Sequence, residues 1–149
     1  VTNAADFVTN VAPRAGLGVA AGRRGRSVEG MKIAAEMAVG LVAAAHVYFM
    51  VLEMFFWTKP LGRRAFGLTP EFARATQALA ANQGLYNGFL AGGLMWGLYA
   101  GADGYPTKIF FLGCVIVAGV FGAATANRKI LWVQAVPGAV ALALVCAAR

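Results

Sequence analysis

Acidic side chains are scarce in this chain: six Asp and Glu stand against thirteen Lys and Arg in 149 residues, for a formal net charge of +7. Charge of either sign is thin as well, at 13% of residues against about a quarter in soluble domains. With 60% hydrophobic residues and a mean hydropathy of +0.67, a soluble protein this short could not cover its apolar surface. The class is therefore integral membrane. Cysteine occurs twice and histidine once, with no CxxC or Cys/His spacing, so neither a metal site nor a cofactor is indicated. Cys114 and Cys146 sit in apolar stretches and read as small buried residues. Aromatic and basic residues do not interleave, which argues against a single-strand nucleic-acid groove. The positive charge lies in the tail and loops, where an anionic lipid surface is the fitting partner. The sequence also lacks a GxSxG elbow, an HExxH pair and a phosphate loop, so an enzyme is the least favoured function.

Large apolar residues are rare before residue 31. The stretch "RAGLGVAAGRRGRSVEG" is aperiodic and Gly/Arg-rich, which predicts a disordered tail over residues 1–30. Its apolar run is short and its arginines follow that run, unlike a signal peptide. Met31, just before the first long apolar run, offers an alternative start, leaving residues 31–149 as a single transmembrane domain.

Four apolar segments follow, at about 33–57, 77–100, 108–126 and 130–148. Each is long enough to cross a hydrocarbon core of ~30 Å at ~1.5 Å per residue. The second helix has a clear start: Thr69 as N-cap, Pro70 at the first helical position and Glu71 in the first turn, running on to about Ala100. Pro137 should kink the fourth by freeing a backbone carbonyl. Short connections make neighbouring helices antiparallel, so the expected fold is all-α, a polytopic antiparallel bundle of four transmembrane helices. From Met31 onward, the loops at 58–76 and 127–129 carry six basic residues against three on the opposite side. That bias puts both loops in the cytoplasm of a multi-pass inner-membrane protein. Counting Arg14, Arg23, Arg24 and Arg26 gives seven against six and nearly erases it.

The polar residues inside these segments form a pattern. His46 and Glu53 are seven apart on the first helix, so they lie within about 20° of each other on one face. On the second helix Asn82, Gln83, Tyr86 and Asn87 span an arc of roughly 140°, while Gly84, Gly88 and Gly92 form a bald stripe on the other side. The bald stripe suits close helix packing, within one chain or between copies in a homo-oligomer. If Trp57 marks the cytoplasmic end, Glu53 lies about 6 Å inside and His46 about 16 Å. Counting down from Gln77, Asn82 lies at about 8 Å and Asn87 at about 15 Å. Glu53 should then stand level with Asn82 and His46 with Asn87, with Gln134 of the fourth helix near Glu53. Glu36, near the outer interface, reads as solvated.

At these residues the sequence is also familiar. "AHVYFMVLEMFFWTKPLGRRAFGL", "LAANQGLYNGFLAGGLMWGL" and "FFLGCVIVAGVFGAATANRKILWVQAVPGAVALAL" closely resemble a family of small bacterial four-span membrane proteins, domain of unknown function 1304. The resemblance covers about residues 32–146. It implies a membrane location and four helices, with members beginning near Met31, and it carries no catalytic roles.

An ionisable residue within a span costs ~2.5–3.5 kcal/mol on insertion scales, so it points to function by default. Three functions remain open. A small-solute or proton carrier component would use His46, Glu53, Asn82, Gln83, Tyr86, Asn87 and Gln134 as its binding cluster. A structural or assembly subunit would use the same groups as interhelical ties. A membrane-embedded enzyme on a lipophilic substrate would use His46 and Glu53 for proton transfer.

Overall fold

A computed structural model describes the backbone of residues 15–149 and the side chains of residues 25–149. Among the described residues every regular element is helical: α1 (Ala15–Val51), α2 (Pro60–Phe66), α3 (Pro70–Ala75), α4 (Gln77–Tyr99), α5 (Tyr105–Thr125) and α6 (Val136–Ala147). Two π-helical turns interrupt the pattern. Leu52–Phe56 continues α1, and Leu131–Ala135 leads into α6.

Helix α1 reaches back to Ala15, so residues 15–30 are helical where the sequence suggests aperiodic chain. An established helix extends without a fresh nucleation cost, and the Ala and Arg residues here favour it, against a cost of about 1 kcal/mol at each of the five glycines between residues 15 and 30. The expectation for residues 1–14 lies outside the described residues.

The start of α3 follows the sequence closely. Thr69 is the N-cap, its hydroxyl accepting the Phe72 N–H at 3.2 Å, with Pro70 at the first helical position. At this helix start the Glu71 backbone N–H helps hold its own carboxyl below the usual carboxylate range. The helix does not run through to α4, however. It stops at Thr76, whose backbone leaves the helical region, and α4 begins at Gln77. The Thr76 hydroxyl donates to the Phe72 carbonyl at 2.7 Å and accepts the Trp57 indole N–H at 3.0 Å. Competition from such a side chain is a known reason for a helix to break at threonine.

Pro137 acts differently from a simple kink. It lies in the first turn of α6, directly after the second π turn. Its missing N–H would have served a carbonyl one turn earlier. The chain widens instead, and the Val136 N–H reaches back five residues to the Leu131 carbonyl.

Helix α1 packs against α4 and α6, and α5 packs against the same two from the other side. The core is built of small and branched residues, including Val39, Val42, Leu94, Leu112, Val115 and Ala141. Glycines allow the close approaches. A side chain at Gly62 would collide with the Phe56 carbonyl, and one at Gly119 would lie 2.7 Å from the Ala135 backbone nitrogen.

Two helices among the described residues are long and apolar enough to cross a membrane, Gly25–Phe56 and Tyr105–Thr125, and a shorter apolar stretch covers Leu131–Ala147. Four such segments were expected. Asn82, Gln83, Asn87 and a run of glycines lower the hydropathy of α4, and a late start shortens the last helix.

Candidate functional site

Glu53 lies within the first π turn and is 9% exposed, although it is a carboxylate. Its Oε2 accepts a hydrogen bond of 2.7 Å from Nδ2 of Asn87, which is 5% exposed on α4. Glycine makes this contact possible. A Cβ at Gly84 would lie 2.6 Å from Met54 Cγ, 3.1 Å from the Met50 carbonyl and 3.2 Å from Glu53 Cβ; one at Gly88 would meet Met50 Sδ at 2.8 Å. The bald stripe and the polar contact therefore share one interface.

That arrangement corrects three expectations. Asn87 pairs with Glu53, not with His46, because side chains tilt toward the N-terminus of their own helix. In antiparallel helices the tilts converge: Glu53 leans away from the Trp57 end and Asn87 leans toward it. Asn82, Gln83 and Tyr86 do not join the cluster and are exposed. Asn87 lies about 60° from Gly84 around the helix, whereas Asn82 lies about 140° from Asn87, so the face that Gly84 presses on α1 carries only the one amide. Gly92 packs on none of the described residues, with open space within 4 Å of its Cβ position.

His46 is 1% exposed and belongs to a different neighbourhood. Its Nδ1 lies 2.8 Å from the Val42 carbonyl one turn back, and its Nε2 is buried without a hydrogen-bond partner among the described residues. The ring lines a groove of about 470 Å³ between α1 and the second π turn with α6, shared with Gln134. Gln134 donates from Nε2 to the Val115 carbonyl at 3.4 Å. The expected single layer is thus divided: Glu53 bonds Asn87, while His46 and Gln134 line a separate groove without bonding each other.

At the far end of α1, Lys108 is 4% exposed, and its Nζ lies 2.6 Å from Glu36 Oε1 and 3.4 Å from the Gly101 carbonyl. Glu36 is paired rather than simply solvated. Gly97 makes room for the lysine stem, since a Cβ there would lie 2.7 Å from Lys108 Cγ. The available signal was Gly97 and Gly101 flanking the turn before α5. Both cysteines are free thiols, and Cys146 is exposed rather than buried. No group of three or more metal-ligating side chains occurs among the described residues.

The sequence of residues 40–146 matches the family described as Protein of unknown function (DUF1304). The chain belongs to that family. An uncharacterized protein, YpaA of Lactococcus lactis subsp. lactis (strain IL1403), is 31% identical over 96 residues, covering 63% of this chain and 81% of its own. No solved structure matches the chain. The DUF1304 segment contains His46, Glu53, Asn87, Lys108 and Gln134, while Glu36, the partner of Lys108, lies outside it.

Proposed function

We propose that this chain is a four-span protein of the bacterial inner membrane, with α1, α4, α5 and the continuous apolar segment Leu131–Ala147, the second π turn with α6, crossing the bilayer. Its inverted surface supports this reading. Phe89, Trp96, Phe110, Phe121 and Trp132 are exposed, while His46, Glu53, Asn87 and Lys108 are buried. In a water-soluble domain large apolar residues seldom cover the outside so fully, and lysine and glutamate are buried only when partnered, as Lys108 is by Glu36 and Glu53 by Asn87. The loops at 58–76 and 127–129 follow α1 and α5, which run in the same direction in an antiparallel bundle, and so fall at one end. Counted from Met31 onward, their six basic residues against three on the other side favour the cytoplasm for that end. Gly92 on the open side of α4 is available to a second copy.

Within that frame, the chain works as a component of a carrier for a small polar solute or a proton, with Glu53 as its central group. The observation behind this is the buried Glu53 carboxyl held by the single amide of Asn87 within a π turn, a helix defect that recurs at functional sites. The test is pH-dependent uptake in proteoliposomes. Glu53→Gln keeps the acceptor for Asn87 but removes the titratable carboxyl, and flux should fall to the level of empty vesicles. Unchanged flux sinks the carrier reading. A second reading, a structural subunit tied together at this point, is favoured by the tight seat of Gly84 on Met50 and Glu53. It expects Glu53→Gln to leave both phenotype and stability close to wild type.

A further inference from the structure

The His46 groove lies apart from the Glu53–Asn87 contact, and its chemistry is asymmetric. Its walls are apolar, with Leu41 and Val42 from α1 and Pro137 and Val140 from α6, and its polar residues are His46 and Gln134. Leu41 and Val140 are also largely exposed on the outer surface, so the groove opens sideways, toward lipid on the four-span reading. A carbonyl can only accept, so the contact with Val42 fixes the hydrogen of the neutral ring on Nδ1. Nε2 then carries a lone pair. It is buried and has no donor among the described residues, which is a costly state for a polar atom in apolar surroundings.

We propose that this groove binds a long-chain alcohol from the bilayer, its apolar body along Leu41, Pro137 and Val140 and its hydroxyl donating to His46 Nε2. The ligand must bring the donor, because the site supplies the acceptor. An ester, an ether or a hydrocarbon lacks it, and a carboxylate would set a charge against a lone pair. Gln134 spends one amide hydrogen on the Val115 carbonyl and has a second for the hydroxyl oxygen. The groove volume of about 470 Å³ falls within the ~300–1,000 Å³ range of small-molecule sites. Nε2 is sealed by its neighbours, so entry of the hydroxyl displaces a lining side chain, a rotamer change of the kind common at binding surfaces. The inference stands without the carrier reading, since it involves neither Glu53 nor Asn87.

The chain has one histidine, so isotope-labelled histidine reports a single imidazole by nitrogen NMR. The full chain is measured in amine-oxide detergent, which has no hydroxyl, with n-tetradecanol as probe and its methyl ether as control. The expected free state has Nδ1 protonated and Nε2 bare. The alcohol should move the Nε2 resonance toward the protonated range, and the ether should not. The alcohol should bind about tenfold more tightly than the ether, the worth of one buried hydrogen bond. Val140→Trp, which fills the groove and leaves the ring intact, should abolish the alcohol response while the free-state spectrum persists. His46→Phe should bind both probes alike, read by equilibrium binding of radiolabelled alcohol and ether to the purified variant. An unmoved Nε2 signal, equal responses to alcohol and ether, a bare Nδ1, or a full response in Val140→Trp overturns the proposal.

Discussion

Replacing Asn87 with leucine tests whether the Glu53–Asn87 contact holds α1 to α4. Leucine is close to asparagine in size, so the change removes the donor without opening a large cavity. It leaves the Glu53 carboxyl in a site that is 9% exposed, with its only hydrogen-bonding partner among the described residues gone. Two magnitudes compete. A lost interhelical hydrogen bond in a membrane protein averages ~0.6 kcal/mol, because the separated helices find other partners. A buried acceptor stranded without any partner costs ~1–3 kcal/mol. Asn87 is the partner in this structure and the surrounding residues are Met50, Met54 and Gly84, so the stranding cost should govern. At ~3 °C per kcal/mol for a chain of this size, Asn87→Leu should lower Tm by about 3–9 °C.

The reciprocal change behaves differently. Glu53→Gln keeps a side-chain oxygen to accept from Asn87 and should shift Tm by no more than about 2 °C. The double variant Glu53→Leu with Asn87→Leu removes both polar groups and should recover most of the loss of the single Asn87→Leu. Helix content by circular dichroism during heating in detergent reads all three. Equal losses in Asn87→Leu and Glu53→Gln, or no recovery in the double variant, would refute the claim that a stranded acceptor sets the cost.

Four further expectations follow from the packing. Gly84→Ala places a methyl 3.1 Å from the Met50 carbonyl and should cost ~1–3 kcal/mol, whereas Gly92→Ala meets open space and should gain up to ~1 kcal/mol, both by thermal unfolding. A Gly92→Ala variant that destabilises the protein and lowers its oligomer mass would assign that face to a second copy. Glu36→Ala strands the buried Lys108 ammonium and should destabilise by more than Lys108→Met, though by less than the ~3–5 kcal/mol of a fully buried pair, because the Glu36 side chain is 46% exposed. Thr76→Val leaves the Trp57 indole without its acceptor, and limited proteolysis should then cut residues 58–76 faster. In a variant with both native cysteines changed to alanine, Arg64→Cys should react with an impermeant maleimide only after the cells are opened; labelling of intact cells would reverse the proposed orientation.

The long helices were legible because their signal is additive: many apolar residues, few charges, and caps such as Thr69 and Pro70 that act locally. The contacts between helices were less so. A rise of ~1.5 Å per residue fixes the level of each Cα but not the level at which a side chain makes contact. Side chains on α1 and α4 tilt in opposite senses, so Glu53 meets Asn87, five residues along from the Asn82 that backbone counting selects. Spacing also treats a helix face as continuous. Gly84 shows why that fails: the face that can approach α1 closely is the one without side chains, and only a polar residue next to that bald strip enters the contact. Asn87 qualifies, while Asn82 and Tyr86 point away. On α1, His46 and Glu53 have divergent partners despite their seven-residue spacing. Two neighbouring helices pack against that side, and α4 engages the carboxyl while the π turn before α6 shares a groove with His46. A polar pair on one helix is therefore a single site only when one partner helix covers both residues, and here two helices divide them.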